Sequence, residues 1–448
     1  MTEKAPSENT VLVGGMILTE PGRTGVVKHE KTLIAEDRLV EVNVSRLTEE
    51  VDARIVDCSH CLIMPGLING HVHAAMSLLR GLADDLPFHR WLNEYIFPAE
   101  STHVGPEFVY LGTMISSMEM ALNGITTFAD GYFHMEHAAR AAVDVGLRAV
   151  IAQGILDVPA PDAASPGSWK GRMHEFLESC PRDPLISPAL FCHSTYLCSP
   201  ETLRDAAALA RELRTLLFCH VSETAPEVDD VAHRYGRRPV EHLDALNILG
   251  EGFVAVHAVH LSDREKEMLV EAGVGVVHCP ESNMKLAAGA CDASGLSRRG
   301  VAMGIGTDGP ASNNNLDLFE EMRSASLMAK LVTRDPEALD ARTVLRMATI
   351  DGARVLGMDD RIGSLEPGKF ADVIVIDPDR PHLTPMYVPE SHLVYAARGS
   401  DVRDVIVNGR MVVDHGRITT VDEEEFKARA RTMASEIGRG VGLRECGE

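Results

Sequence analysis

The chain has 448 residues, 45% of them hydrophobic and 24% charged, so it is long enough to bury a large core and has the composition of a globular protein. Its 66 acidic and 43 basic side chains give a formal charge of -23, which disfavours binding to nucleic acid or anionic lipid and favours a small-molecule substrate. No apolar run approaches the roughly 18 residues of a membrane span and no signal-peptide pattern is present, so we expect a cytoplasmic protein.

The N-terminal segment reads as a series of short strands. Alternating apolar residues and turn residues in residues 11–62 predict a small antiparallel sheet. The same texture returns near the C-terminus in FADVIVIDP, HLVYAARG, VRDVIVNGRMVV and GRIT. We therefore expect residues 1–63 and 366–420 to pack as one composite β-sandwich, followed by a C-terminal helix over residues 421–448.

The run PGLINGHVH ends in His71 and His73, one residue apart. Residues i and i+2 of a strand lie on the same face, so both imidazoles can reach one metal ion. A catalytic zinc site takes about three protein ligands and keeps a position open for water, so other parts of the chain must complete the set. The pair alone is weak evidence, because the chain contains 19 histidines.

Between the two β segments, apolar runs of strand length alternate with helical patterns. The helical patterns include residues 107–122, 201–214, 264–272 and 316–331. Eight such strand and helix units within residues 64–365 predict an α/β fold, a (β/α)8 TIM-like barrel with its active site at the carboxyl ends of the strands. The eight runs are LIMPGLINGHVH, GITTFAD, RAVIAQ, SPALFCH, LLFCHVSE, FVAVHAVH, VGVVHCPES and VAMGIGTDG.

Metal-capable side chains stand at most of the predicted strand ends. They are His71 and His73 on the first strand, His193 on the fourth, His220 and Glu223 on the fifth, His257 on the sixth and Asp308 on the eighth. A barrel brings these ends together, so the pattern predicts a metal site. Asp130 ends the second strand, and its role is left open.

The chemistry of these residue types indicates hydrolysis. A divalent metal lowers the pKa of a bound water, and the Asp308 carboxylate can accept the proton that is released. Glu223 can act as a general acid that protonates the substrate and its leaving group, while His257 orients the attacking oxygen. The structural alternatives are a helix-capping carboxylate for Glu223 and a buried core histidine for His257.

The chain resembles the amidohydrolase superfamily, and within it the branch of 5′-methylthioadenosine/S-adenosylhomocysteine deaminases and related chlorohydrolases. The motifs that carry the resemblance extend over nearly the whole chain. They are PGLINGHVHAAMSLLRGLADDLP, PAE ending at Glu100, HSTYLCS, HVSET, VHCPESNMKL and GTDGPASNNNLDLFEEMR.

The resemblance implies roles for single residues. It makes His71, His73, His220 and Asp308 the metal ligands and gives Glu223, His257 and Asp308 to catalysis. Glu100 and His193 resemble the residues that hold the ribose and the ring, so the substrate-binding set is Glu100, His193, Glu223, Gln153 and Asp308. Binuclear relatives have a carboxylated lysine where this chain has His193, which implies one divalent metal, Zn²⁺ with Fe²⁺ as the alternative.

Gln153 bears on which nucleoside is preferred. Relatives that accept S-adenosylhomocysteine carry an arginine near the end of the third strand, where it can pair with the amino-acid carboxylate. The corresponding place in AVIAQGILD of this chain is Gln153. The expected substrates are therefore 5′-methylthioadenosine, 5′-deoxyadenosine or adenosine rather than S-adenosylhomocysteine.

Other functions remain open at this point. One is a hydrolase, deaminase or dechlorinase of another aminated heterocycle, such as an s-triazine or a guanine-type base. Glu100 distinguishes a nucleoside substrate from an s-triazine, because a triazine has no diol for a carboxylate to bind. A non-catalytic barrel scaffold is disfavoured by the complete ligand set, and the H-x-E and P-C-x-x-C signature of nucleic-acid deaminases is absent. A homo-oligomer is compatible with the sequence.

Overall fold

The computed structural model describes residues 9–23, 25–163, 165 and 167–440. Seven short strands come first, and four of them form a sheet in the order β5-β4-β1-β6. The strands are β1 (Thr10–Val13), β2 (Met16–Ile17), β3 (Val27–Lys28), β4 (Lys31–Ala35), β5 (Arg38–Val44), β6 (Arg54–Asp57) and β7 (Leu62–Pro65).

A closed barrel of eight parallel strands follows, with neighbours in chain order and the last strand pairing with the first. Each predicted run contributes one of these strands, so the (β/α)8 prediction is confirmed. The first run is divided, because its beginning is β7 in an outer sheet and only its second half enters the barrel. The barrel strands are β8 (Leu67–Val72), β9 (Ile125–Tyr132), β10 (Arg148–Ile155), β11 (Ile186–Ser194), β12 (Leu217–Val221), β13 (Phe253–His257), β14 (Gly275–His278) and β15 (Met303–Ile305).

Helices surround the barrel. A 3₁₀ helix at Ala74–Leu79 and a π-helical turn at Trp91–Ile96 lie in the long connection after β8. The α-helices up to the last barrel unit are α1 (Phe88–Arg90), α2 (Phe97–His103), α3 (Pro106–Leu122), α4 (Met135–Val145), α5 (Trp169–Ser179), α6 (Pro200–Leu213), α7 (Ala225–Tyr235), α8 (Pro239–Ala245), α9 (Asp263–Ala272), α10 (Pro280–Lys285), α11 (Ala293–Arg298), α12 (Leu318–Thr333), α13 (Ala341–Met347) and α14 (Ile350–Val355).

The C-terminal part returns to the outer sheets. β16 pairs antiparallel with β7, which joins the two ends of the chain in a seven-stranded sheet of order β19-β18-β17-β16-β7-β2-β3. Leu12, Ile34 and Val373 belong to the apolar core between this sheet and the four-stranded one. The elements are β16 (Val373–Ile376), α15 (Pro389–Tyr395), β17 (Val402–Val407), β18 (Arg410–Asp414), β19 (Arg417–Ile418) and α16 (Glu423–Gly440), with 3₁₀ turns at Pro381–Leu383 and Gly399–Asp401.

Two expectations about these sheets are wrong in detail. HLVYAARG is not a strand, because its first half completes α15, whose Pro389 suits the first turn of a helix and whose Leu393 and Val394 are buried. The sheets are also mixed rather than purely antiparallel, since β1 pairs parallel with β6 and β2 with β7. The domain boundaries stay a prediction, and residues 1–8 and 441–448 of the predicted segments lie outside the described residues.

The interior of the barrel is apolar below the site. Alternate residues of each strand point inward, as Val150 and Ala152 do on β10, and meet Phe191 and Phe218 from the next two strands. The outward residues pack against the helices in a second core. In the described part of the chain, no helix combines the length and apolar character that a membrane crossing requires.

Candidate active site

Four side chains that the sequence predicts as metal ligands converge at the carboxyl end of the barrel. His71 lies on β8 and His73 follows it, while His220 lies on β12 and Asp308 follows β15. The Nε2 atoms of His71 and His73 are each 3.4 Å from Asp308 Oδ1. His220 Nε2 is 3.4 Å from His71 Nε2. Donor atoms from strands far apart in sequence therefore share one small volume.

Hydrogen bonds on the far side of two ligands leave the metal-facing atoms free. His73 donates from Nδ1 to the carbonyl oxygen of Gly131 at 2.6 Å, so its Nε2 carries a lone pair towards the site. Asp308 Oδ2 accepts from the hydroxyls of Ser282 at 2.6 Å and Ser312 at 2.9 Å, so its Oδ1 faces the histidines. Outer hydrogen bonds of this kind orient ligands in metal sites.

The electrostatics also fit a metal ion. Burial lowers the pKa of His71 to about 4 and lowers the pKa of His220 well below its usual value, so both rings are neutral at physiological pH. Burial raises the pKa of Asp308, but the hydrogen bond from His71 and the charges of neighbouring histidines outweigh it and hold that pKa well below its usual value. Neutral imidazoles and an ionised carboxylate are the forms that bind divalent metals.

Glu223 and His257 lie beside these ligands. His257 Nε2 is 3.9 Å from Glu223 Oε1, and both side chains are buried. Burial raises the pKa of Glu223 to about 8, and the charge of Asp308 acts in the same direction. A carboxyl with such a pKa carries a proton near neutral pH and can give it to a substrate. Glu223 also lies beyond the end of β12 rather than capping a helix, a role that Thr224 fills for α7.

The buried carboxylate of Glu227, which the sequence analysis did not identify, fixes the loop that carries Glu223. Glu227 accepts from the backbone N–H groups of Ser222 at 2.9 Å and Glu223 at 2.7 Å. Glu227 is also the third helical residue in a capping box with Thr224. The sequence Thr-Ala-Pro-Glu is the signature of that box, so the contact to the helix start could have been found.

A single pocket contains the predicted catalytic and substrate-binding residues except Gln153. Glu100 and His193 line it together with His73, His220 and Asp308 of the predicted ligand set, and an apolar wall faces them. The polar lining is His73, Glu100, His193, His220, Glu223, His257, Asp308 and Ser312. The apolar and aromatic lining is Met76, Phe88, Trp91, Leu92, Ile96, Phe97, Tyr132, Phe133, Leu156, Phe191 and Leu286.

Glu100 is buried and His193 is half-buried within this pocket. Burial raises the pKa of Glu100 to about 7, although a hydrogen bond from Tyr132 acts to lower it. Burial lowers the pKa of His193 to about 3, so the ring is neutral. Its Nδ1 has no hydrogen-bond partner among the described residues.

Gln153 lies elsewhere, and the expectation that it faces the substrate is corrected. Ala152 points into the barrel and Gly154 lines the pocket, so Gln153 between them points outward. Its amide donates to Asp162 at 3.0 Å and to the carbonyl oxygen of Gly154 at 3.2 Å. The alternation of side chains along the strand therefore separates Gln153 from the residues that surround the substrate space.

Asp130, whose role was left open, also points outward. Its Oδ1 accepts from the backbone N–H of Ala74 at 3.1 Å, at the start of the 3₁₀ helix that follows His73. The carboxyl therefore fixes the turn behind a metal ligand. Its side chain does not line the pocket.

The barrel and the convergent ligands define a class, that of barrel hydrolases with a histidine and aspartate metal site at the strand ends. The model of the amidohydrolase family matches residues 62–412. The chain belongs to the amidohydrolase family.

Similar proteins cover almost the whole chain. It is 45% identical over 436 residues to the 5-methylthioadenosine/S-adenosylhomocysteine deaminase of Syntrophobacter fumaroxidans, which covers 95% of this chain and 98% of that protein. It is 41% identical over 433 residues to the 5′-deoxyadenosine deaminase of Methanothermobacter thermautotrophicus, covering 96% and 99%. A crystal structure of an adenosine deaminase from Xanthomonas campestris with bound zinc superposes with a TM-score of 0.93 at 38% identity, covering 96% of this chain and 98% of that one.

Proposed function

We propose that the protein is a metal-dependent hydrolytic deaminase of adenosine-type nucleosides, which releases ammonia and the inosine analogue. The observation that carries the proposal is one pocket lined by His73, His220 and Asp308, by a buried Glu223 whose pKa is raised, and by a buried Glu100, with His71 beside it. The histidine and aspartate set and Glu223 suit attack on an aminated ring, and Glu100 suits the ribose of a nucleoside. The names of the similar proteins, which include deaminases of three adenosine derivatives, support the same reaction.

We assign the metal to His71, His73, His220 and Asp308. Three imidazoles and one carboxylate are a typical ligand set for Zn²⁺, and Fe²⁺ is the alternative. One ion per chain is proposed, because the fourth strand ends in His193 rather than in a lysine. When bound, the metal supplies an activated water for attack on the ring carbon.

The side chains of the chain handle the protons. Asp308 Oδ1 accepts the proton that the attacking water loses, and His257 holds the attacking oxygen in position. Glu223 gives its proton to the ring nitrogen as the carbon–oxygen bond forms. Glu223 then takes the proton of the hydroxyl group on the ring carbon and passes it to the exocyclic amine, so that the carbon–oxygen double bond forms as the carbon–nitrogen bond breaks and ammonia leaves. The proton held by Asp308 returns to Glu223 and restores it for the next turnover.

Glu100 and His193 select the substrate in this proposal. The Glu100 carboxylate accepts hydrogen bonds from the ribose hydroxyls, and His193 contacts the purine ring. A triazine offers no diol, so this carboxylate favours the nucleoside over the heterocycle alternative. The net charge of -23 disfavours a nucleic acid, so we propose free nucleosides in the cytoplasm as the substrates.

The test is an ammonia-release screen of the purified protein. Adenosine, 5′-deoxyadenosine, methylthioadenosine, S-adenosylhomocysteine, guanine and atrazine are compared at equal concentration, with the Asp308→Ala variant purified in parallel as the control. We expect turnover of adenosine derivatives by the wild-type protein only. Turnover confined to guanine or atrazine, or equal rates for the variant, would overturn the proposal.

A further inference from the structure

The segment Phe88–His103 covers the pocket and is held to the barrel mainly by apolar contacts. It consists of α1, the π-helical turn and α2. Trp91, Ile96 and Ala99 are buried in the outer core, and Phe88 and Phe97 line the pocket. Apolar contacts are non-directional, so they bring this segment close without fixing the orientation of a single polar side chain.

One hydrogen bond fixes the orientation of a polar side chain in this segment, that of Glu100. Tyr132 donates from its hydroxyl to Glu100 Oε1 at 2.6 Å. The other side-chain hydrogen bonds of the segment are internal, such as those of Arg90 with Glu94 and of Asn93 with the carbonyl of His89. Within the described residues, the Tyr132–Glu100 bond is the one side-chain hydrogen bond between residues 88–103 and the rest of the chain.

The donor is rigidly placed. Tyr132 is the last residue of β9 and is 5% exposed. Its ring lies 4.9 Å from the ring of Phe133 and 6.2 Å from that of His73, measured between centroids. A side chain that ends a barrel strand and is packed on two rings has little freedom, so its hydroxyl is a fixed point beside the metal-ligand set.

The two oxygens of the Glu100 carboxylate therefore have different roles. Oε1 accepts from Tyr132, which leaves Oε2 for a bound molecule. We propose that Tyr132 is a positioning residue, which holds the Glu100 carboxylate so that its other oxygen meets the ribose hydroxyls of the substrate. This inference rests on the proposed nucleoside deaminase function and adds a specificity determinant to it. A hydrogen bond that merely stabilised the fold would affect all substrates alike.

The experiment compares adenosine with 2′,3′-dideoxyadenosine, which lacks both hydroxyls. Tyr132→Phe removes the donor and keeps the ring. The matched control is Tyr110→Phe, because Tyr110 also donates to a carboxylate, that of Asp144 at 2.8 Å, but between α3 and α4. We expect Tyr132→Phe to raise KM for adenosine about tenfold with little change in kcat, the effect of a weakened hydrogen bond to a charged group. The rate with the dideoxy substrate and both rates of the control should stay at wild-type values.

A double variant tests whether Tyr132 acts through Glu100. In a Glu100→Gln background, Tyr132→Phe should cause little further loss, since the two residues act as one unit. Equal losses of kcat/KM for both substrates, or additive effects in the double variant, would overturn the positioning role. A wild-type protein that does not distinguish the two substrates would instead refute the Glu100–ribose contact. A wild type that deaminates neither would refute the proposed function, and this inference with it.

Discussion

Asn283 Oδ1 accepts a hydrogen bond from His257 Nδ1 at 3.0 Å, and this contact decides which ring nitrogen of the histidine faces the pocket. With Nδ1 protonated, Nε2 carries a lone pair towards Glu223 and the ligand set. His257, which we propose orients the attacking oxygen, is thus itself oriented by a residue on α10. The contact joins two neighbouring strand ends, since α10 follows β14.

Removal of this partner is the first prediction. Asn283→Ala should lower kcat by about 10- to 100-fold while metal content is retained, because His257 can then rotate or change tautomer. Steady-state kinetics with adenosine and elemental analysis measure the two effects. Asn315→Ala, which removes a half-buried amide that bonds to Glu320 and does not line the pocket, is the matched control and should behave as wild type. Wild-type kcat in Asn283→Ala would show that His257 needs no orientation from Asn283.

Sequence patterns were sufficient for the barrel and for the convergence of the side chains that are proposed as metal ligands. Eight apolar runs ended in polar residues, and parallel strands must bring such ends to one edge, so His220 and Asp308 could be placed beside His71 without a structure. The partners of those residues were not accessible in this way. Asn283 and Tyr132 contact their partners because of the way a loop or helix packs on the barrel. Residue spacing does not predict that packing.

The corrections to Gln153 and to HLVYAARG have a common physical origin in local geometry. Family resemblance indicates where Gln153 lies along the strand but not which face of the strand it occupies. A shift of one residue along a strand reverses the direction of the side chain. HLVYAARG has apolar residues that suit a strand or one face of a short helix. Its tertiary contacts decide the outcome, since Leu393 and Val394 are buried in the outer core as part of α15.

The metal is the subject of the second prediction. The purified protein should bind about one equivalent of divalent metal per chain, as four convergent ligands can hold one ion. His71→Ala and Asp308→Ala should lose metal and turnover together, whereas His174→Ala, which alters an exposed histidine on α5, should lose neither. Elemental analysis and activity after chelation and reconstitution measure this. Two equivalents per chain would contradict the mononuclear assignment, and full activity of metal-free protein would contradict the mechanism.

Glu223 provides a third prediction. Glu223→Gln keeps the shape of the side chain but loses the transferable proton, so kcat should fall by a factor on the order of 10² to 10⁴ with metal content unchanged. Glu212→Gln, on the exposed face of α6, serves as the control. If the Glu223 variant stays within a few-fold of wild type, the proton reaches the ring nitrogen by another route.

The pH dependence of selectivity gives a fourth prediction. Burial raises the pKa of Glu100 from 4.5 to about 7, so the carboxylate is ionised above that pH and protonated below it. Tyr132, the group that hydrogen-bonds Glu100, has a pKa raised well above its usual value by burial and does not titrate in this range. The preference for adenosine over 2′,3′-dideoxyadenosine should therefore fall by about tenfold from pH 8 to pH 6. The ratio of the two kcat/KM values cancels groups that act on the ring, and Glu100→Gln should make it independent of pH.

The last prediction concerns the 5′ substituent of the nucleoside. It compares substitutions of Gln153 and Leu156, which are three residues apart at the end of β10. Among the described residues, no lysine or arginine lines the pocket. The nearby Arg172 is 7% exposed and is paired with Asp162 at 3.0 Å and with Glu136, so its charge is already neutralised.

The wild-type protein should thus prefer methylthioadenosine or 5′-deoxyadenosine to S-adenosylhomocysteine, whose carboxylate would be desolvated without a partner. Leu156→Arg places a cation on the pocket wall and should narrow that preference by about tenfold. Gln153→Arg, the matched variant, should leave it unchanged because its side chain points outward to Asp162. The measurement is kcat/KM for the three nucleosides on all three proteins. A wild type that prefers S-adenosylhomocysteine would mean that Arg172 leaves its carboxylates to bind substrate, and a gain in Gln153→Arg alone would reverse the assignment of faces on β10.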